Sequence, residues 1–244
     1  QWLLGEARLA SQVLDVSRID MSEKPLGGGG NRARCIRVAA EAAGQDRIRV
    51  FVDADFDRIF GRTHSSNVWM TDFRDLEGYY LRIECFEKLV LLGVAKPFVK
   101  ASDVLQRLLK EGRSLGALRI ASERETWDLP FQATDLRRHV TSVGGLVSID
   151  ADAYLRALLQ NAGVSLSLLA HRQQVWAAAA ALVSAQPAHE LVHGTDMLIM
   201  LGRIVEEFGE DHRAAEAIVR CTFEHSFVAG LPVLTQVQEF LLGN

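Results

Sequence analysis

The chain has 244 residues, 48% of them hydrophobic and 24% charged, with a formal net charge of −4. That length suits one large domain or a domain with an appendage, and the composition excludes a chain that is mostly disordered. The mild negative charge excludes a general attraction to nucleic acid, so any such contact needs a local basic patch or bridging cations.

In chain order, residues 1–4 read as a short buried strand ending at Gly5 and Glu6, 8–14 as a helix and 17–20 as a second short strand. Gly27, Gly28, Gly29 and Gly30 form a loop, and Asn31 is the expected N-cap of a helix reaching Ala43, with Gly44 as its stop. The run 48–52 is apolar without alternation, as expected of a strand buried on both faces. A loop over 56–66 leads to a strand over 68–71. A helix is then expected to start at Asp72 or Asp75 and to carry Leu76, Tyr79, Tyr80 and Leu81. This alternation of strand and helix implies a mostly parallel sheet with helices on its faces.

Beyond Pro97 the pattern becomes helical. Val104, Leu105, Leu108 and Leu109 mark an amphipathic helix over 101–111, with another expected over 115–127. Short strands are expected over 137–140 and 146–149, around Gly144 and Gly145. Asp150 should cap a helix reaching Asn161, and further helices fit 167–185, 196–208, 214–225 and 234–242.

The cysteines, Cys35, Cys85 and Cys221, are far apart and form no CxxC pair. A zinc ribbon or a disulfide framework therefore has no support, and a reducing cytoplasm is the expected location. No apolar run reaches membrane-spanning length, no signal peptide is visible, and no membrane role is expected. Because the chain starts at Gln1 without a Met and is already strand-like there, some N-terminal residues are expected to be missing.

The chemistry is concentrated between Arg47 and Glu77. One apolar run delivers Asp53, Asp55 and Asp57 at its end, and a second delivers Asp72 and then Glu77. Strands of an α/β sheet present ligands at their carboxyl edge in this way. Clustered carboxylates repel one another unless a cation sits among them, and Mg²⁺ or Mn²⁺ prefer hard oxygen ligands. In an extended strand Asp53 and Asp55 share a face, with Ala54 and Phe56 on the packed side and Asp57 in the loop beyond. Two ions held there would suit phosphodiester displacement. A DxD alone is a weak motif, used by sugar transferases, phosphatases and nucleases, and a solvated acidic loop is the plain alternative. The haloacid-dehalogenase phosphatases place their first Asp in a DxDGT-like context, which Phe56 and Asp57 do not match. The glycine run lacks the GxxxxGK[ST] pattern, so P-loop nucleotide binding has no support.

The order glutamate, glycine-rich loop, helix, strand-DxD, strand-TDxxxLE resembles the TOPRIM fold of topoisomerases, primases and overcoming-lysogenization-defect (OLD) nucleases. It is most similar to a family of TOPRIM proteins that accompany ABC-type ATPases in bacterial defence, with which the toxic effector of the PARIS anti-phage system belongs. The match rests on Gly5-Glu6, on VFVDADFD at 50–57 and on VWMTDFRDLEGYYL at 68–81, with a weaker piece at His193-Gly194-Thr195-Asp196. The family's first motif reads Val-Glu-Gly, whereas this chain has Gly5-Glu6-Ala7.

The resemblance implies a TOPRIM-like, mostly parallel α/β sheet over 1–96 and a mainly helical region over 97–244. It implies a Mg²⁺- or Mn²⁺-dependent nuclease acting as an anti-phage effector on DNA or RNA, tRNA included. Glu6, Asp53, Asp55 and Glu77 would be catalytic, and Glu6, Asp53, Asp55, Asp57, Asp72 and Glu77 would supply the metal ligands. Lys24, Arg58 or Arg62 would meet the scissile phosphate. The implied partners are the nucleic acid and an ABC-type ATPase, with a homodimer left open. The alternative in a different class is a catalytically silent interaction module docked on the ATPase. A zinc hydrolase is a lesser alternative, because His189-Glu190-Leu191-Val192-His193 matches HExxH, although Pro187 and Gly194 flank it closely. His64 is expected to be solvated, Trp2, Trp69, Trp127 and Trp176 to be core, and the arginine clusters 32–37 and 137–138 with His139 to be solvated faces.

Overall fold

A computed structural model describes residues 30–91 and 99–242. The expected strands over 1–4 and 17–20, the helix over 8–14, Glu6 and Lys24 lie outside the described residues. In chain order the elements are α1 (Asn31–Glu41), β1 (Val50–Val52), α2 (Asp57–Phe60), β2 (Val68–Met70), α3 (Ile83–Leu89), α4 (Ala101–Arg124), β3 (Val140–Val143) and β4 (Leu146–Ile149). They continue with α5 (Ala151–Asn161), α6 (Leu169–Leu182), α7 (Gly194–Glu207), α8 (Ala214–Thr222) and α9 (Pro232–Leu242). The class is mixed α/β and mainly helical. No helix among the described residues is long and apolar enough to cross a membrane.

The chain divides into two compact units, one of residues 1–76 with 224–244 and one of residues 77–223. The division falls after residue 76, where the sequence reading placed it after 96, and the last helix returns to the first unit. The cause lies at the end of β2. Asp72 accepts hydrogen bonds from the N–H groups of Val233 (2.9 Å) and Leu234 (3.3 Å) in the first turn of α9. Pro232 opens that helix, where a missing N–H costs nothing. Trp69 of β2 meets Phe240 edge to face at 5.5 Å, and Arg49 lies over both rings.

Within the first unit β1 and β2 pair in parallel, Val50 opposite Val68 and Val52 opposite Met70. Helix α1 covers them. Ala39, Val50 and Val52 form a buried cluster lined by Cys35, Val38, Val68 and Met70, and each buried valine contributes roughly 2 kcal/mol. Asn67 ties the layers together by donating to the Ala39 carbonyl at 2.8 Å. The strands are shorter than their apolar runs. Ile48 is exposed, and Phe51 and all three residues of β2 are half-buried, so only the face of β1 that carries Val50 and Val52 is fully buried, not both faces. The helix expected after β2 is a 3-10 helix over Leu76–Tyr80. Asp72, one of the two expected starts, is committed to α9.

The second unit is built around α4, one continuous helix where two were expected. Gly112 and Gly116 cost it about 1 kcal/mol each, yet their missing side chains admit the segment at Leu191 and Val192. A Cβ on Gly116 would lie 2.9 Å from the Leu191 carbonyl carbon and closer still to its oxygen. α4 also packs against α3, α6 and β4. Asp150 caps α5 by accepting from the Ala153 N–H at 3.0 Å. The expected strand over 137–140 is instead a 3-10 turn followed by β3, which pairs antiparallel with β4. Gly144 and Gly145 both have positive φ, as a two-residue I′ hairpin requires. Their N–H groups and the Ser142 hydroxyl donate to Glu207 of α7 at 2.5, 3.0 and 2.6 Å. Burial pushes the Glu207 carboxyl up, but these bonds outweigh it and hold the group below the usual carboxylate range.

Gly116→Ala is expected to lower stability by about 1–3 kcal/mol through overpacking against backbone. Gly112→Ala should lose less, since its neighbour is the Val192 side chain, 2.9 Å away. Chemical denaturation of both variants tests that order.

Candidate functional site

Beyond Val52 the chain leaves the sheet at once. The Ala54 N–H donates to the Thr71 hydroxyl at 2.9 Å, and that hydroxyl donates to the Phe73 carbonyl at 2.6 Å. Asp55 adopts φ +49°, a left-handed conformation that Asp tolerates better than most residues, and its N–H donates to the Arg74 carbonyl at 2.7 Å. Asp53 and Asp55 are therefore not alternating residues of one extended strand. A tight turn separates them, and Asp57 is the first residue of α2 rather than part of a loop. Ala54 and Phe56 face the packed side as expected, and the Arg74 guanidinium stacks on Phe56 at 4.2 Å.

Four acidic residues of this unit, Asp53, Asp55, Asp57 and Asp72, do different things. Asp53 is exposed, and its Oδ1 accepts the Leu76 N–H at 3.1 Å. Asp55 keeps 44% of its side chain exposed, and its Oδ2 pairs with Arg32 Nε at 3.0 Å. Asp57 is fully buried. Its Oδ2 accepts from Arg32 and lies 2.5 Å from His64 Nε2, while its Oδ1 pairs with Arg62 at 3.4 Å. Burial alone would raise the Asp57 carboxyl, but the hydrogen bonds from His64 and Arg32 and their charges hold it below the ordinary value. Asp72 caps α9. All four of these expected ligands thus have structural partners, and Asp53 and Asp55 are the two that stand at the exposed rim of the strand end.

The basic residues sort in the same way. Arg58 donates to the carbonyls of Thr71, Asp72 (3.2 Å) and Phe73 (3.5 Å), holding the loop after β2. Arg62 stacks on Phe60 at 4.7 Å besides pairing with Asp57. His64, expected to be solvated, is a half-buried partner of Asp57. Arg32, expected on a solvated face, is the hub: its Nε also donates to the Asp53 carbonyl at 2.9 Å. The sequence signal for it was a cation at the start of the helix that precedes an acidic strand end.

Glu77 belongs to the second unit. There it packs against Gly194, where a Cβ would fall 2.8 Å from its Cγ, so two of the motif pieces meet. Asp196, two residues on, is 3% exposed and takes a two-point ion pair from Arg119, at 3.0 and 2.6 Å. Tyr154 in this unit is pushed up to about 12, by burial first and by the Asp196 charge second. The HELVH segment does not fit a zinc hydrolase. Ala188–Glu190 is a 3-10 turn, Leu191 and Val192 are buried, and α7 opens only at Gly194, so His189 and His193 share no helical face. Trp176 is core, with its Nε1 donating to the Ser114 carbonyl at 2.8 Å, and Trp127 is half-buried beneath the Arg172 guanidinium.

Among the described residues, no three His, Cys, Asp or Glu side chains come together closely enough to share a metal ion. No protein-family model matches the chain, and no curated protein matches it.

Asp57 makes stability depend on acid. Its folded-state pKa is below the unfolded value near 3.8, so its contribution is complete above that value and is lost as pH falls through the folded pKa. Asp57→Asn leaves Arg32 and His64 without their buried anion. It should cost about 2–3 kcal/mol, discounted because the partners are partly exposed, and should flatten the acid limb of a stability-against-pH profile.

Proposed function

We propose that the chain is a Mg²⁺- or Mn²⁺-dependent, TOPRIM-type nuclease acting as an anti-phage effector. The observation that supports this is the parallel pair β1–β2, whose carboxyl end presents Asp53 and Asp55 outside the core. Both are hard oxygen donors at a strand end, and so fit part of the ligand set of such a cation. Glu6 would complete the set, as the resemblance implies. A cation bound there would supply a Lewis acid for the phosphodiester and a water of lowered pKa. The protein's own contribution is orientation. The Leu76 N–H fixes Asp53, and the left-handed turn and Arg32 fix Asp55. Arg58 and Arg62 brace the backbone and Asp57, so neither is assigned to the scissile phosphate. The substrate is DNA or RNA, tRNA included, the location cytoplasmic, and the controlling partner an ABC-type ATPase.

A second reading, a catalytically silent module docked on that ATPase, is favoured by one observation: Asp57 and Asp72 are committed to an ion-pair network and a helix cap. The two readings separate in one experiment. Purified protein is incubated with DNA, RNA and tRNA, with and without Mg²⁺ or Mn²⁺. The nuclease reading expects metal-dependent cleavage that falls at least about 100-fold in Asp53→Ala plus Asp55→Ala. Cleavage that survives this double substitution refutes the assignment. No cleavage and no metal binding, together with co-purification of an ATPase, establishes the silent module.

A further inference from the structure

We infer that the outer face of the β1–β2 pair is a stacking platform for single-stranded nucleic acid, and that α9 is the strap that keeps it covered. The inference rests on the nucleic-acid reading above. It requires no metal ion, so its test stands apart from cleavage.

The two faces of the strand pair differ. Val50 and Val52, with Val68 and Met70, belong to the cluster beneath α1. Alternation puts Phe51 and Trp69 on the other face, where the register sets them opposite one another. Both are half-buried. Arg49 joins them there, its guanidinium 5.8 Å from the centre of the Trp69 ring and 5.6 Å from that of Phe240 on α9. The hydrogen bonds of Arg49 go to neutral groups, the carbonyls of Ile48 (3.1 Å) and Gln45 (3.5 Å). Among the described residues no carboxylate pairs with Arg49 or with the exposed Arg47. Aromatic rings beside an unpaired guanidinium are the chemistry that stacks bases and meets the phosphates of a single strand. A duplex hides its base faces and is the poorer ligand for such a surface.

The strap is lightly held. An isolated helix as short as the 11 residues of α9 is marginal in water, so α9 depends on its docking. Leu234 and Val237 are the only buried residues along it. Its anchors include the Asp72 cap at its first turn and the edge-to-face pair of Phe240 with Trp69 at 5.5 Å. Elements with so little buried surface open locally before the rest of a protein unfolds. Phe240 lies against the ring on which a base would stack, so α9 and a bound strand exclude one another.

The test is fluorescence anisotropy of labelled oligothymidine, and of a duplex of equal length, titrated with the full chain in EDTA. The natural protein is compared with Phe240→Ala and with Phe240→Ala plus Trp69→Ala. Losing the ring pair makes the uncovered state up to about tenfold more populated, and apparent affinity follows that population. The expected result is single-strand affinity up to about tenfold higher in Phe240→Ala, with the gain lost in the double variant and little gain for the duplex. Hydrogen exchange should show the α9 amides of Phe240→Ala exchanging faster while those of α4 are unchanged. No gain in Phe240→Ala overturns the inference. So does a gain that survives Trp69→Ala, which would place the strand elsewhere, or an equal gain for the duplex. No binding by any of the proteins overturns it too, and leaves the nuclease reading to the cleavage assay. Should the double variant fail to fold, Phe240→Ala plus Arg49→Gln replaces it, and an undiminished gain there overturns the inference.

Discussion

A carboxylate with no exposure to water is the constraint on which the first unit depends. Asp57 at the start of α2 would be prohibitively costly to bury alone. Its compensation comes from three directions: Arg32 on α1, His64 in the loop before β2, and Arg62 just beyond α2. Removing that anion would leave an arginine and a histidine facing one another across the turn that carries Asp53 and Asp55. The acidic strand end is therefore held by an ion-pair network beneath it, and its shape is not set by β1 alone.

The second unit solves a different problem by packing. α4 must run beside a segment whose backbone comes very close, and it does so through Gly112 and Gly116, one turn apart on the same face. The segment thus accommodated is 188–193, which contains the HELVH pattern. A string that reads as a zinc motif is, in three dimensions, a connector whose Leu191 and Val192 lie against those glycines. Glu207 plays a comparable part at the β3–β4 hairpin. There it satisfies two turn N–H groups that an isolated hairpin would leave to solvent.

Much of this was legible in the chain. The apolar runs at 48–52 and 68–71 gave the parallel pair, Asp150 gave a helix start, and the glycine pair gave the hairpin turn. These are local signals, set by neighbours within a few residues. What could not be read was the destination of individual charges. Asp57 and Asp72 look like Asp53 in the sequence, yet one is bound by a helix 25 residues earlier and the other caps a helix 161 residues later. The single α4 was hidden because glycines in a helix read as a break unless the close neighbour that requires them is known. The left-handed turn at Asp55 was hidden because its partner, the Arg74 carbonyl, lies on another element.

The return of α9 to the end of β2 has a consequence for how the protein is made. The first unit is discontinuous: its β1–β2 pair is translated before residues 77–223, and the helix that Asp72 caps is translated after them. Domains usually fold from the N-terminus as they are synthesised. Here the 77–223 unit can be complete while Asp72 and Trp69 still wait for Val233 and Phe240. A nascent chain therefore carries an unfinished acidic strand end until all of 77–223 has been made. A fragment ending at residue 96 would never acquire the helix that closes it.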